Sequence, residues 1–347
     1  MGSNRARIAL ITGVTGQDGA ILARFLLEKN YRVHGLREYS AVPDDGRLED
    51  LEDIILHYGD MTDSGSLQRV LRAVRPDEIY NLAAMSHVHV SFMMPEHTMQ
   101  VNSIGVLKLL EAIQICGLQK TVRLYQASSS EMFGSSPAPQ NETTPFSPCS
   151  PYGNSKLSAY WSVCMARRAY GLFACNGILF NHESPLRGEE FVTRKVTKAI
   201  GEIEAGICDR LTLGNLDARR DWGHARDYME GAWMMLQQDR PDDYVLASGE
   251  AHSVREFVEA AFACIGISLR WTGKGLQEKG YDARTGQLRV DIDPVLFRPT
   301  EINELLGDAS KARRQLGWQP KNSFENLVRE MVEADRIVKP AKRAHVA

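Results

Sequence analysis

Ile8-Ala9-Leu10-Ile11-Thr12-Gly13-Val14-Thr15-Gly16-Gln17-Asp18-Gly19 is the stretch that decides the fold. Residues 7–12 read as an apolar strand, buried on both faces. An amphipathic helix is predicted from Ala20 to about Lys29, with Ile21, Leu22, Phe25 and Leu26 inward, and a second strand from Tyr31 to Leu36. A glycine loop alone is a weak signal. Between a strand and a helix it reads as a dinucleotide-binding turn. Gly13 makes the turn, Gly16 lets the backbone approach a pyrophosphate at the helix N-terminus, and Gly19 packs helix on strand. Thr15, Gln17 and Asp18 share that loop and are cofactor-binding candidates.

The alternation continues outward. A strand over 53–58 ends at Gly59-Asp60-Met61, and a helix spans 64–74. A strand over 78–82 ends at Leu82-Ala83-Ala84, small enough for a cofactor to lie over. A helix is expected over 98–115, a strand over 122–126, a helix over 151–170 and a strand over 173–180. Repeated β-α units predict an α/β fold, a Rossmann-type doubly wound parallel sheet whose ligand crevice lies at the carboxyl ends of the strands. Gly13, Asp60, Ala83, Ser128–Glu131 and Asn181 all follow strand ends and should converge there. After about residue 185 the segments shorten and the loops lengthen, with a helix over 225–237, a strand over 244–247, a helix over 254–265, a Gly-rich loop around 273–286 and helices over 309–316 and 324–336. The expected organisation is a dinucleotide-binding domain over 1–185, a smaller and partly interleaved substrate lobe over 186–338, and a tail over 339–347.

Composition narrows the class. The chain has 347 residues, 43% hydrophobic and 24% charged, with a net charge of -3. That is an ordinary soluble enzyme's profile, without the basic footprint of a nucleic-acid or anionic-membrane binder. No apolar run approaches the roughly 18 residues of a membrane span. The six cysteines show no C-x-x-C spacing and the nine histidines no H-x-x-x-H pair. Reduced thiols, no metal and a cytoplasmic location are expected.

Two further stretches carry chemistry. Ser150-Pro151-Tyr152-Gly153-Asn154-Ser155-Lys156 reads as a capped helix start, Ser150 as cap and Pro151 in the first turn. Tyr152 and Lys156, four apart, then share a helical face. An ammonium beside a phenol favours the phenolate, so Lys156 is expected to lower the Tyr152 pKa and make it an acid/base near neutrality. Ser128-Ser129-Ser130-Glu131 follows a strand end. Its hydroxyls can donate to a carbohydrate oxygen, and its carboxylate can take a proton from carbon or give one to a leaving hydroxyl.

Taken together, the glycine loop, the Ser-Ser-x-Glu stretch and Tyr-x-x-x-Lys resemble the extended short-chain dehydrogenase/reductase superfamily. The blocks 11–19, 125–128, 175–185, 191–195, 220–225 and 297–301 are similar to the GDP-mannose 4,6-dehydratase family, over about residues 7–335. The resemblance implies that Tyr152, helped by Lys156, takes the proton of the sugar 4-hydroxyl while C4 gives hydride to a nicotinamide. Glu131 then removes the proton on C5, water leaves from C6, and hydride returns to C6. Ser129 stands near O4, where the family has threonine or serine. The resemblance also implies a cofactor site that includes His182 and Arg187, and a GDP-sugar site of Ser86, Glu131, Asn181, Lys195, Leu213, Gly214, Arg220, Arg298 and Glu301. Arg220 and Arg298 are expected in loops and Lys195 on a helix.

Two departures from the family pattern stand out. An arginine pair that grips the 2′-phosphate of NADP is replaced by Glu38-Tyr39, after Arg37. Glu38 would repel a phosphate and could accept from a ribose 2′-hydroxyl. NAD(H) and NADP(H) both stay open, with the charge leaning toward NAD. The loop over 40–57 is short, and Leu186-Arg187 replaces a second arginine pair. The resemblance implies a homo-oligomer, a dimer or tetramer. GDP-D-glycero-D-manno-heptose is the alternative substrate to GDP-mannose. An epimerase or reductase, which needs no carboxylate at Glu131, and a non-catalytic nucleotide-sensing module are the competing functions.

Overall fold

The computed structural model describes residues 5–40, 46–297 and 300–336. Arg298 and the tail over 339–347 lie outside the described residues. In chain order the first half contains β1 (Ile8–Thr12), α1 (Gln17–Glu28), β2 (Arg32–Arg37), β3 (Ile55–Tyr58), α2 (Ser64–Val74), β4 (Glu78–Asn81), α3 (Val88–Met93), α4 (Pro95–Met99), α5 (Gly105–Ile115), β5 (Arg123–Ser129), α6 (Pro151–Tyr170), β6 (Phe173–Leu179) and β7 (Asn181–Glu183). The second half contains α7 (Val192–Ala205), β8 (Leu211–Leu213), β9 (Arg219–His224), α8 (Ala225–Leu236), β10 (Tyr244–Leu246), β11 (Ala251–Ser253), α9 (Val254–Ala263), β12 (Leu269–Thr272), β13 (Lys279–Asp282), β14 (Leu288–Ile292), β15 (Glu304–Leu305), α10 (Ser310–Leu316) and α11 (Phe324–Asp335).

The main sheet has seven strands in the order β10-β6-β5-β4-β1-β2-β3, paired in parallel throughout. Its central strands are buried on both faces because helices cover both. Leu22 and Leu26 of α1 and Tyr228, Met229 and Met235 of α8 form one layer with Tyr80 and Tyr125. Leu67 and Leu71 of α2, Val106 and Leu109 of α5 and Val163 of α6 form the other with Leu10 and Leu124. This is the doubly wound sheet expected from the alternation. Its last strand and one covering helix come from residues beyond 185.

Three readings of the sequence are corrected. The expected helix over 98–115 is broken, because a π-helical turn at Gln100–Ile104 separates α4 from α5. It turns Asn102 toward the loop after β4, where its amide accepts from the Met85 N–H at 2.8 Å and donates to Ser155 Oγ at 3.1 Å. The turn buries the polar Asn102 and Ser103 and leaves Ile104 exposed, so the apolar residues alone do not mark where the helix changes pitch. Helix α3 was not foreseen; it is six residues long. The Gly-rich stretch over 273–286 is not a plain loop. It contains β13, which with β12, β14 and β8 makes a four-stranded sheet. A smaller sheet orders β11-β9-β15, with β7 beside β9. Short strands rich in Gly, Arg and Asp carry little period-2 signal.

At the edge of the main sheet, His34 of β2 and His57 of β3 stack, with His34 Nδ1 2.8 Å from His57 Nε2. Burial and the neighbouring His57 and Arg32 push His34 down to about 4, and burial lowers His57. An unfolded histidine titrates near about 6.5. Between the two values the unfolded chain binds the extra proton, so stability is complete above about pH 6.5 and falls as pH drops toward about 4. Thermal melts should show Tm declining over that window and a shallower decline in His34→Asn. An identical slope in the variant would exclude this pair as its source.

Candidate active site

The glycine loop shows what each glycine does. Gly13 has φ +67°, and a Cβ there would meet the Ala83 backbone at 2.8 Å. A Cβ on Gly19 would meet the Gly13 carbonyl at 2.4 Å and Val14 Cα at 2.5 Å, so α1 rests directly on the turn. At Gly16 the nearest atom is the Gly13 carbonyl, at 3.4 Å. Packing within the chain therefore does not demand a glycine at 16, whereas close approach of a pyrophosphate does. Gly16 caps α1 without a side-chain hydrogen bond, leaving backbone N–H groups and the positive helix end for an anion. These residues fit a dinucleotide. Thr12 ties the loop to the next strand, its hydroxyl donating to Asn81 at 2.6 Å and accepting from the N–H groups of Leu82 and Ala83.

Farther along the crevice, Asp60 caps its own turn, accepting from the Thr62 N–H at 2.6 Å, and Met61 is buried in the core under α5. At the end of β2, the Arg37 guanidinium lies 5.6 Å from the Tyr58 ring centroid, while Glu38 and Tyr39 are exposed.

Tyr152 is delivered by a well-made helix start. Ser150 Oγ accepts from the Gly153 N–H at 3.0 Å and Pro151 occupies the first turn. Such a cap is worth about 1 kcal/mol. Gly153 lies against the Glu131 backbone, where a Cβ would meet the Glu131 carbonyl at 2.6 Å. The turn that carries Tyr152 thus seats directly on the turn that carries Glu131. Glu131 is buried, and its N–H donates to Ser129 Oγ at 3.2 Å. Lys156 Nζ lies 5.8 Å from the Tyr152 ring centroid and donates to the Ala127 carbonyl at 2.9 Å.

The expected depression of the Tyr152 pKa is corrected. Burial dominates and pushes the phenol up to about 12, with the Glu131 charge adding to it and a hydrogen bond with Ser129 opposing it. Burial also pulls Lys156 down to about 8, against the opposing charge of Asp18. The sequence showed the spacing of the pair but not how little water reaches it, and desolvation disfavours both charged forms.

The segment 181–187 crosses the start of α1. Gln17 Nε2 donates to the His182 carbonyl at 3.1 Å, and Ser184 Oγ donates to Gln17 Oε1 at 2.9 Å. His182 Nε2 meets Asp18 Oδ2 and its Nδ1 meets the Phe180 carbonyl, both at 2.7 Å. Both partners are acceptors, so the ring carries two protons. Burial works against that charge, but Asp18 and the carbonyl outweigh it and raise the His182 pKa; His182 and Gln17 likewise hold Asp18 below the usual carboxylate range despite burial. Gln17 and Asp18 are thus engaged with this segment. Arg187 pairs with Glu183 at 3.0 Å and lies 3.5 Å from the Phe191 ring centroid.

Ser86, Ser129, Tyr152, Asn181, His182, Arg187, Lys195, Leu213, Gly214, Arg220 and Glu301 line one cavity of about 370 Å³ between the main sheet and the smaller sheets. Lys195 sits on α7 as expected. Arg220 is on β9, not in a loop, and is buried. It donates to the Ile302 carbonyl at 2.8 Å and pairs with Glu301 at 3.0 Å. Gly13, Thr15, Gly16, Gly19, Arg37, Glu38, Asp60, Met61, Leu82, Ala83, Ala84 and Lys156 lie outside this cavity's lining, as does Glu131 behind Ser129. Among the described residues no group of three or more His, Cys, Asp and Glu could hold a metal ion, and no helix is long and apolar enough to cross a membrane.

Sequence reasoning missed His87, His89 and Glu190 in the lining, while Ser128 stands there with Ser129 as the stretch after β5 leads one to expect. His87 caps α3, accepting from the Val90 N–H at 3.2 Å, and its Nε2 faces the Glu190 carbonyl at 3.3 Å. Its place just after the strand end at Ala83-Ala84 was an available signal. Arg47 was missed as well. It reaches back from its loop to donate to the carbonyls of Leu186 at 2.8 Å and Thr15 at 3.4 Å, tying the glycine loop to the 181–187 crossing.

The model of a family described as GDP-mannose 4,6 dehydratase matches residues 10–331. A GDP-mannose 4,6-dehydratase of Sinorhizobium fredii is 55% identical over 338 residues, 95% of this chain and 96% of that one. A GDP-mannose 4,6 dehydratase of Drosophila melanogaster is 53% identical over 344 residues, 96% of this chain and 87% of that one. Among solved structures, a Thermus thermophilus UDP-glucose 4-epimerase in complex with NAD superposes with a TM-score of 0.80 at 23% identity, over 96% of this chain and all of that one. That likeness speaks to the fold. Matched from the first strand to the last helix, this chain belongs to the GDP-mannose 4,6 dehydratase family.

Proposed function

We propose that this protein removes water from GDP-mannose to give its 4-keto-6-deoxy product, with Tyr152 and Glu131 as the two proton-handling groups. The observation that carries this reading is the seating of the Tyr152 turn on the Glu131 turn at Gly153, with Ser129 between them at the cavity wall. An oxidoreductase that does not eliminate water has no use for a carboxylate there.

When bound, a nicotinamide dinucleotide supplies the redox capacity of the reaction with no net consumption. The glycine loop and the N-terminus of α1 would hold its pyrophosphate. Tyr152 takes the proton of the sugar 4-hydroxyl, and the hydroxyl of Ser129 steadies the phenolate. Lys156 adds positive charge on the same helical face. The 4-ketone makes the proton on C5 acidic. Glu131 removes it and gives a proton to the hydroxyl that departs from C6 as water. The hydride equivalent taken from C4, which a bound dinucleotide would supply back to C6, and a solvent-derived proton returned to C5 complete the 4-keto-6-deoxy product. At the other end of the cavity, Arg220 and Lys195 offer cations to a diphosphate. Burial lowers the Lys195 pKa, with the Asp293 charge opposing, so an anionic ligand there gains a partly desolvated partner.

Glu38 at the end of β2 favours NAD over NADP, because its charge opposes a 2′-phosphate. Ile104 and Leu107 near α5, and Trp161 and Met165 on the adjacent α6, are exposed apolar side chains that suit a homo-oligomer. The test is to release and identify the co-purifying dinucleotide, then to incubate the protein with GDP-mannose and with the GDP-heptose. A product lighter by one water from GDP-mannose is expected, together with NAD. Preference for the heptose would move the substrate, and an unchanged sugar nucleotide in both incubations would end the dehydratase reading.

A further inference from the structure

Three serines follow one another at the end of β5, and their neighbours give them different duties. Ser129 Oγ accepts the Glu131 N–H and bonds the Tyr152 phenol. Ser128 is buried to 4% exposure yet still lines the cavity. Its Oγ lies 3.2 Å from Asn176 Oδ1, an atom that can only accept, so the Ser128 proton is directed there. The Asn176 amide cannot turn over. Its Nδ2 donates to Asp243 Oδ1 at 2.9 Å, and its backbone N–H donates to the same oxygen at 3.0 Å. Asp243 is fixed in turn by Arg167 and by the Tyr160 hydroxyl at 3.1 Å. Burial would raise the Asp243 pKa, but the guanidinium and Asn176 more than offset it and keep the carboxylate charged. A charge thus orients an amide, and the amide orients a hydroxyl. The outcome is that Ser128 turns lone pairs, not its proton, toward the cavity.

We propose that Ser128 is a substrate-binding residue that accepts a hydrogen bond from a hydroxyl of the bound sugar, with Asn176 and Asp243 as its positioning residues. This rests on the reading of the cavity as a GDP-sugar site. The other donor of suitable chemistry is the carboxamide NH₂ of a nicotinamide, and the experiment separates the two. The arrangement also sets specificity: a sugar lacking the hydroxyl leaves Ser128 facing no donor, which a site built around a hydrogen bond discriminates against.

Affinities for GDP-mannose and for GDP are measured by calorimetry on protein carrying Glu131→Gln, so that no turnover intervenes. Adding Ser128→Ala should weaken GDP-mannose by about 2- to 10-fold, the worth of one neutral hydrogen bond, and leave GDP unchanged. Ser128→Thr, which keeps the hydroxyl, should restore affinity. Asn176→Ala should weaken GDP-mannose while Ser128 is present and add nothing once it is alanine, with folding of each variant checked by its melt. Unchanged GDP-mannose affinity in Ser128→Ala, or equal weakening of GDP, overturns the proposal. A fall in retained dinucleotide with sugar affinity intact assigns Ser128 to the carboxamide and overturns it too. Failure of the Glu131→Gln protein with Ser128 intact to bind either ligand is a different result, and removes the GDP-sugar site itself.

Discussion

Glu131→Gln lowers the dehydration of GDP-mannose by about 10²–10⁴-fold, the range expected when a positioned acid/base is lost. The change keeps volume and removes only the basic oxygen. The backbone contacts that place the turn, the N–H to Ser129 and the carbonyl against Gly153, do not involve the altered group. Dinucleotide content and melting temperature should therefore stay near those of the wild type. In D₂O the wild type should place deuterium on C5 of the product, and the variant should not. A second consequence follows from charge. Glu131 is one of the groups that hold the Tyr152 phenol protonated. With it neutral, the Tyr152 pKa falls, and the ascending limb of the half-reaction in which the phenolate takes the sugar proton shifts to lower pH. Full dehydration by Glu131→Gln would remove the dehydratase assignment.

Tyr152→Phe should lose about 10²–10⁴-fold in kcat while KM for GDP-mannose changes little, since the phenol acts on a proton in flight. The variant differs from Glu131→Gln in the step that is slowed: oxidation at C4 itself becomes slow, so over the time of a wild-type single turnover the absorbance of the nicotinamide stays flat. The ligand-free phenol, pushed up to about 12, and the ligand-free lysine, pulled down to about 8, are both shifted toward their neutral forms. The kcat/KM profile of the wild type, which reports free-enzyme groups, should rise with pH through neutrality and lose support once Lys156 gives up its charge near about pH 8. Lys156→Met should abolish that upper break. A profile unchanged by Lys156→Met would show that the lysine does not set it.

Much of this was legible because it is local. Gly13, Gly16 and Gly19 answer to backbone geometry within one turn, and Tyr152 and Lys156 to the pitch of one helix. Long-range consequences were not legible. No spacing rule says that Gly153 must be bare because a carbonyl from a turn at Glu131 lies over it. Nor does any rule say that Arg220 spends its donors on Ile302 and Glu301, residues that β15 brings beside β9. The sign of the Tyr152 shift was misread for the same reason. Sequence shows the neighbour four residues away, whereas burial is set by the whole fold. The second and third sheets escaped because strands such as Lys279–Asp282 are half polar and too short for periodicity to register.

The main sheet is closed by β10, and α8 covers one of its faces, although both are encoded after β7 to β9. A ribosome thus delivers six parallel strands and the catalytic helix well before the strand that finishes the layer. Until residue 246 emerges, β6 has an open edge, and until α8 emerges the apolar faces of Tyr125, Cys175 and Ile178 have no lid from Tyr228 and Met229. The order of synthesis and the order of the sheet disagree, so the seven-stranded sheet cannot be completed until β7, β8, β9 and α8 have been made. For a nascent chain this makes late closure, and a long interval of exposed sheet edge, part of the fold.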